Sequence, residues 1–227
     1  MSRTVDPAIF VRRNTALAAP PLVPEIRLHL AGEVTPIWQA TEDTLAQIGL
    51  PPPFWAFAWA GGQALARYLL DHPETVAGSR VLDFGSGSGL VAIAAAMAGA
   101  AAVTAADIDP FAAAAIAANA AANDVAIAVA AEDMIEAGAA DWPVVTAGDV
   151  CYEQPMAGRA TAWLRRQAAR GSLVLLADPG RAYVPAAGLC ERARYAVPTS
   201  RELEDRELRS TVVWQVLPSP VCSDGPC

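Results

Sequence analysis

The fold is decided by residues 80–90, which read Arg-Val-Leu-Asp-Phe-Gly-Ser-Gly-Ser-Gly-Leu. The first five residues predict a buried strand, the three glycines predict a tight turn, and Leu90 begins an apolar helix. Glycine has no Cβ, so such a turn can bend sharply and lie against a ligand. Because the turn leads into a helix, free backbone N–H groups point into the same crevice. The stretch therefore predicts the ligand-binding turn of an α/β sheet.

A carboxylate follows the next predicted strand at the spacing of a ribose site. Asp107 closes the apolar run 100–106 and lies 22 residues after Gly85. A dinucleotide site would need Gly or Ala at position 90, where this chain has Leu90. The glycine spacing instead resembles the first motif of class I S-adenosylmethionine-dependent methyltransferases. S-adenosylmethionine is thus the expected cofactor, with an NAD(P) enzyme and a non-catalytic nucleoside-binding protein as alternatives.

Composition excludes several classes of function. The chain has 227 residues, enough for one domain, and a net charge of −8. It has no basic cluster longer than Arg165-Arg166, which argues against a nucleic-acid partner. The sequence has no membrane-length apolar stretch, and its four scattered cysteines form no zinc spacing. Because residues 1–7 include Asp6 and Pro7 and no apolar core, we expect that they are not a secretory leader. We therefore expect a cytoplasmic enzyme without a metal, and a monomer.

Alternation of strands and helices predicts the architecture. Strands are expected at 80–84, 102–107, 125–130, 144–149 and 172–177, and helices at 63–71, 90–99, 110–122 and about 156–170. This alternation is typical of parallel strands with right-handed crossovers. Two late segments, 195–197 and 209–216, lack a long helix between them and predict a return at the sheet edge with one antiparallel strand.

The region before the glycine turn is predicted to be an extension. Residues 25–30 alternate polar and apolar side chains like a half-exposed strand, and a helix is expected between Thr41 and Gly49. We expect residues 1–50 to form this extension and to cover the substrate side. The methyltransferase domain is then 51–217, and 218–227 is a flexible tail.

Most predicted cofactor residues follow strand ends, where such a sheet binds its ligand. We expect Asp83 to fix the turn and the amino-acid half of the cofactor, Asp107 to bind the ribose, and Asp133, rather than Glu132, to accept from the adenine. Trp59 is expected against the cofactor, whereas Asp109 is interpreted as a helix cap and Trp55 as core. The remaining cofactor-site residues are Gly85, Ser86, Gly87, Gly89, Ile108 and Asp149.

The segment after the fourth strand, residues 148–153, predicts where the methyl acceptor is bound. Enzymes that methylate exocyclic or amide nitrogens commonly have Asn/Asp-Pro-Pro-Tyr here, whereas this chain has Asp-Val-Cys-Tyr. The missing prolines argue against a nucleobase or a glutamine amide, and the form resembles seven-strand protein lysine methyltransferases. We predict that Asp149 orients the incoming amine and that Tyr152 provides a hydroxyl acceptor and an aromatic wall.

Together, four segments resemble one family, the lysine methyltransferases that act on the β subunit of electron transfer flavoprotein. The segments are 25–30, 52–71, 148–153 and 177–181, and the likeness covers about residues 10–217. The chain departs from the family at Ala60, where a proline usually precedes Gly-Gly.

The resemblance implies a Rossmann-like seven-stranded sheet with helices on both faces and S-adenosylmethionine as donor, with S-adenosylhomocysteine as product. It also implies a protein lysine as acceptor, with a ribosomal protein as a second candidate substrate. A small-molecule amine methyltransferase remains an alternative. Two roles are open for Arg181: it pairs with an acidic residue near the target lysine, or its role is structural.

Overall fold

The computed structural model describes residues 5–32, 52–137, 141–199 and 207–218. The helices of these residues are α1 (Pro7–Asn14), α2 (Ala60–Asp71), α3 (Leu90–Met97), α4 (Pro110–Ala122) and α5 (Met156–Ala169). The strands are β1 (Ala16–Ala18), β2 (Leu28–Leu30), β3 (Arg80–Phe84), β4 (Ala102–Ala106), β5 (Ala128–Ala130), β6 (Val144–Gly148), β7 (Leu173–Asp178), β8 (Leu189–Pro198) and β9 (Leu208–Val216).

Seven of the described strands form one sheet in the order β5-β4-β3-β6-β7-β9-β8. The first five are parallel to one another, whereas β9 is antiparallel to both β7 and β8. The hairpin of β8 and β9 forms one edge of the sheet, with β8 outermost. The predicted α/β fold, mostly parallel with one antiparallel strand in the edge return, is confirmed.

Helices cover both faces because the central strands are apolar on both sides. In β3, Val81 packs with α2 and α3, whereas Leu82 faces α5. Alternate residues of a strand point to opposite faces, so one apolar run contributes to both layers. On the α5 side, the ring of Phe84 stacks on Trp163 with 4.9 Å between centroids. The crevice at the strand ends is thus held between two packed layers.

Two predicted strands are wrong at their beginnings. Strand 125–130 is restricted to Ala128–Ala130, since the Val125 N–H donates to the Ala120 carbonyl (3.1 Å) and Asp124 has a φ of 55°. These residues end α4 instead of extending the strand. Similarly, segment 25–30 is a strand only over Leu28–Leu30, because a turn bond from the Ile26 N–H to the Val23 carbonyl (3.1 Å) precedes it.

The described part of the N-terminal region packs on the core near the crevice. The Phe10 ring of α1 contacts Phe111 of α4 at 5.1 Å and Trp55 at 6.5 Å between centroids. The helix expected after Thr41 lies outside the described residues, as does nearly all of the predicted tail. No helix in the described ranges is long and apolar enough to cross a membrane.

Candidate active site at the carboxyl ends of the strands

A cavity of about 330 Å³ opens at the carboxyl ends of β3, β4 and β6. Two smaller cavities, of about 90 and 50 Å³, share lining residues with it, Gly85 among them. Most of the predicted site residues line these three spaces; they are Trp59, Asp83, Gly85, Ser86, Gly87, Asp107, Ile108, Asp133, Asp149 and Tyr152. Gly89 ends the turn and begins α3.

The glycine turn has the backbone conformation that its sequence predicts. Gly85, Gly87 and Gly89 have φ values of 64°, 54° and 83°, a region that side chains with a Cβ disfavour. A Cβ at Gly85 would also lie 3.2 Å from Val150 of the acceptor segment. The turn therefore brings bare backbone to the cavity wall.

The buried carboxylate of Asp83 holds the glycine turn in place. Its carboxylate accepts hydrogen bonds from the hydroxyls of Ser86 (2.5 Å) and Thr146 (2.8 Å), and the residue is buried. Burial raises the pKa of Asp83 to about 6, since removal from water disfavours the charged form. Asp83 thus connects β3, the turn and β6.

Asp107 connects the glycine turn to β4. Its two oxygens accept from the N–H groups of Gly87 (2.8 Å) and Asp109 (3.0 Å), and burial raises the pKa of Asp107. Ile108 beside it is 63% exposed and presents an apolar side chain at the cavity. Asp109 accepts from the Phe111 N–H (2.8 Å) and caps α4, which confirms its interpretation as a helix cap.

Asp133 lines the cavity of about 90 Å³ together with Glu132; the three cavities are together called the groove below. One oxygen of Asp133 accepts from the Ile135 N–H (2.9 Å), and the other pairs with the Arg159 guanidinium (3.2 Å). Arg159, on α5, was not predicted and fixes the orientation of the Asp133 carboxylate. A carboxylate oxygen has more than one acceptor site, so Asp133 keeps capacity for a further donor.

Asp149 is the most constrained residue of the cavity. It has a φ of 58°, a conformation that costs a non-glycine residue free energy and that clusters at functional sites. One oxygen accepts from the Gly62 N–H of α2 (2.6 Å), and the other pairs with the Arg181 guanidinium (2.5 Å). Arg181 also pairs with Asp178 of β7 (3.3 Å). The carboxylate is therefore held from two sides.

Aromatic side chains form part of the wall of the main cavity. The Trp59 indole N–H donates to the Phe54 carbonyl (2.8 Å), and the Phe54 ring lies 5.3 Å from Tyr152. Tyr152 is 42% exposed and lines the cavity, and partial burial raises the pKa of its phenol, which stays protonated. Trp55 is buried against Phe10, as predicted for a core residue.

Sequence reasoning missed the residues that hold Asp149. The sequence predicts no role for Gly61-Gly62, yet the Gly62 N–H donates to the Asp149 carboxylate. Arg181 pairs with Asp149 and Asp178 inside the chain, as in the structural one of its two predicted roles, but neither partner was predicted. The sequence contained a signal for this pairing, since an Asp-Pro-Gly-Arg turn at a strand end reverses the chain and can place the arginine side chain near the crevice.

The chemistry of the cavity suits a cationic nucleoside. Three carboxylates line it, those of Asp107, Asp109 and Asp149, with Arg181 beside them. Carboxylates accept from ribose hydroxyls and attract a sulfonium cation, and bare turn backbone admits close approach. These observations fit S-adenosylmethionine, the expected cofactor.

Comparison with known proteins agrees with this fold. The model of the ribosomal protein L11 methyltransferase family matches residues 63–147. Among solved structures, magnesium protoporphyrin IX methyltransferase of Synechocystis is 15% identical with a TM-score of 0.51, covering 68% of this chain and 77% of that one. The 16S rRNA N2 G1207 methyltransferase of Thermus thermophilus is 21% identical with a TM-score of 0.50, covering 70% and 43%. At these identities the likeness concerns the fold.

Curated relatives carry a more specific likeness. The electron transfer flavoprotein beta subunit lysine methyltransferase of Xenopus laevis is 38% identical over 218 residues, covering 93% of this chain and 87% of the relative. The Homo sapiens protein of the same name is 34% identical over 223 residues, covering 94% and 84%. Both matches extend over most of this chain and most of the relative. The chain belongs to the electron transfer flavoprotein beta subunit lysine methyltransferase family.

Proposed function

We propose that this protein transfers a methyl group from S-adenosylmethionine to a lysine ε-amine of the electron transfer flavoprotein β subunit. The observation that carries the proposal is the near full-length similarity to relatives named for this activity. The position of Asp149 and Tyr152 at the same cavity as the glycine turn supports it. We further propose a cytoplasmic monomer without a nucleic-acid partner, in which residues 51–217 form the catalytic domain.

Different residues of the groove would bind the three parts of the cofactor: its amino-acid half, its ribose and its adenine. Asp83 and the glycine turn would hold its amino-acid half, with Trp59 beside them. Asp107 would accept from the ribose hydroxyls, and Asp133 would accept from the adenine amino group. When bound, S-adenosylmethionine supplies an electrophilic methyl group on a cationic sulfonium.

The acceptor side must deliver an uncharged amine. Lysine has an ordinary pKa of about 10.4, and transfer into a desolvated site lowers the pKa of the amine. Asp149 would orient the N–H bonds of this amine. Because Asp149 is already paired with Arg181, it serves as an orienting acceptor and not as a strong base. The ring of Tyr152 excludes water from the reacting atoms, and most of the rate would come from alignment of the two reactants.

The ribosomal protein candidate is less well supported. The matching family model ends at residue 147, before the acceptor segment begins. The matched region holds the glycine turn, Asp107 and Asp133, so it supports binding of the donor and does not bear on the acceptor.

The test is transfer of label from methyl-tritiated S-adenosylmethionine. Purified protein is incubated with electron transfer flavoprotein and, in parallel, with ribosomal protein L11, RNA and small amines. We expect label in the β subunit, on lysine after hydrolysis, and none in a target whose candidate lysines are replaced by arginine, which offers no neutral amine. Since the enzyme itself has no lysine, self-labelling on a lysine side chain cannot confuse the result. Label only in RNA or in small amines would refute the proposal.

A further inference from the structure

Three charged side chains meet at the wall of the main cavity, where Asp149 and Arg181 line it and Asp178 lies buried beside them. Asp149 follows β6, Asp178 ends β7, and Arg181 pairs with both. The Asp178 side chain is fully buried, and the side chains of Arg181 and Asp149 are only 17% and 11% exposed. Ion pairs with so little exposure are screened much less than surface pairs, so they influence a charge placed in the cavity.

The backbone after β7 fixes the guanidinium at this place. One oxygen of Asp178 accepts from the N–H groups of Gly180 (2.8 Å) and Arg181 (2.7 Å). Gly180 has a φ of 86°, which lets the chain reverse after the strand. The Arg181 guanidinium then lies 6.0 Å from the centre of the Trp59 ring. Arg181 is therefore held by a buried carboxylate on one side and by the cavity wall on the other.

Arg181 opposes the other charges around the acceptor position. Among the described residues that line the main cavity, Arg181 is the one cation and Asp107, Asp109 and Asp149 are the acids. Helix α2 contributes the backbone N–H of Gly62, and β7 contributes Asp178. The Tyr152 phenol and the Cys151 thiol stay neutral, as burial raises the pKa of Cys151 to about 12. Without Arg181, the wall would carry only negative charge.

We propose that Arg181 is a positioning residue that neutralises Asp149 and thereby keeps the acceptor amine in its uncharged, nucleophilic form. This inference rests on the proposed function for its substrate. A carboxylate without a partner would bind the target ammonium as an ion pair and raise the pKa of that amine. With one oxygen of Asp149 on Arg181 and the other on the Gly62 N–H, the carboxylate can orient an amine without holding it as a cation.

Methyl transfer is a displacement at the methyl carbon. The ammonium first loses a proton to water, and the nitrogen lone pair then forms the new N–C bond as the S–C bond breaks. The electron pair of the S–C bond stays on sulfur, so the products are neutral S-adenosylhomocysteine and a methylated ammonium, which leaves as a cation. Arg181 makes no bond to the reacting atoms and acts through the charge of Asp149. Its removal should therefore alter the pH at which the reaction runs and the preference of the cavity for cations.

The first measurement is the pH profile of kcat at saturating substrates between pH 6.5 and 9.5, which reports groups of the enzyme–substrate complex. In Arg181→Gln, we expect the acidic limb to move up by about one pH unit, a tenfold change in the amine equilibrium. Turnover at pH 7.5 should fall about tenfold and largely recover at pH 9.5. Arg181→Lys should restore the wild-type limb. Arg194→Gln removes an exposed ion pair with Glu191 and should leave the profile unchanged.

The second measurement needs no turnover. Calorimetric binding of cationic S-adenosylmethionine is compared with binding of uncharged S-adenosylhomocysteine. Arg181→Gln should favour the cation, by roughly threefold to tenfold relative to the product, because the cavity becomes more acidic. If Arg181→Gln changes neither the ratio of affinities for S-adenosylmethionine and S-adenosylhomocysteine nor the acidic limb of the kcat profile, the proposed role of Arg181 is overturned, even if the wild type methylates lysine. An altered ratio in a protein that labels no lysine would instead overturn the proposed function alone.

Discussion

Replacement of Gly61 by alanine should destabilise the protein and displace Asp149. A Cβ at Gly61 would collide with the backbone carbonyl of Ala177 in β7 and would lie 2.6 Å from a carboxylate oxygen of Asp149. The carbonyl belongs to the sheet and cannot move by itself, so helix α2 or the Asp149 side chain must shift. Gly62 is the matched control, since a Cβ there would meet its nearest neighbours at 3.8 and 3.9 Å, ordinary contact distances.

The magnitude follows from three contributions. Overpacking of this kind costs about 1–3 kcal/mol. Loss of the hydrogen bond from the Gly62 N–H to the Asp149 carboxylate would cost about 1.5–3 kcal/mol. The higher helix propensity of alanine returns about 1 kcal/mol. We expect Gly61→Ala to lower the free energy of unfolding by about 1.5–5 kcal/mol, which corresponds to a fall in Tm of about 3–20 °C in a domain of this size.

The assay is thermal and urea unfolding of both variants, followed by transfer of label from tritiated donor. Gly62→Ala should be between neutral and about 1 kcal/mol more stable than the wild type, because only the helix propensity changes. Gly61→Ala should lose methyl transfer as well as stability. Equal stability of the two variants would refute the close approach of α2 to β7 and, with it, the account of how Asp149 is held.

Three further predictions concern the groove itself. Asp107→Ala should weaken binding of S-adenosylhomocysteine by about 10–100-fold in calorimetry, because a charged acceptor for paired hydroxyls is lost. Asp149→Ala should lower methyl transfer by at least about 100-fold, the scale of a lost positioning group, whereas Tyr152→Phe should lose less because the aromatic wall remains. Asp83 has a pKa raised to about 6, so the folded state binds a proton that the unfolded state releases near pH 4. Its contribution should therefore make the wild type less stable as the pH rises from 5 to 7.5, by about 1 kcal/mol relative to Asp83→Asn.

Each of these predictions has a control in the same chain. Glu191→Ala removes an exposed carboxylate and should leave affinity for S-adenosylhomocysteine within about twofold. Asp149→Asn keeps an acceptor for the Gly62 N–H, so it separates lost turnover from lost stability. Tighter or unchanged binding of S-adenosylhomocysteine in Asp107→Ala would place the ribose elsewhere. Equal losses of methyl transfer in Asp149→Ala and Tyr152→Phe would argue against an orienting carboxylate. Parallel curves of stability against pH for Asp83→Asn and the wild type would contradict the raised pKa of Asp83.

The fold could be predicted from local signals. Residues 80–90 contain the strand, turn and helix in one run, and each glycine that the turn needs is visible in the sequence. Asp107 and Asp109 follow the next strand, so their surroundings depend on a few neighbours. The predicted strand bounds were wrong where a hydrogen bond to a neighbouring element overrode the local strand preference. At Val125, the backbone N–H bonds to the end of α4 and does not begin β5.

The surroundings of Asp149 could not be predicted in this way, because its partners are distant along the chain. The Gly62 N–H lies 87 residues before it, and Arg181 lies 32 residues after it. No periodicity within one segment links such positions. Only the order of the strands links them, and the spacing of residues along the chain does not reveal that order.

The strand order explains why donor and acceptor chemistry meet at Asp149. Strand β6 lies between β3 and β7 and pairs with both, so its carboxyl end has the glycine turn on one side and the Asp178 turn on the other. A residue that follows β6 is therefore beside the backbone that would bind the donor and also beside the arginine that follows β7. Helix α2 closes the third side, since its Gly62 N–H reaches the same carboxylate. Crossover topology thus brings three segments that are remote in sequence to one carboxylate, and it leaves the remaining side of that carboxylate open to the cavity where an amine would enter.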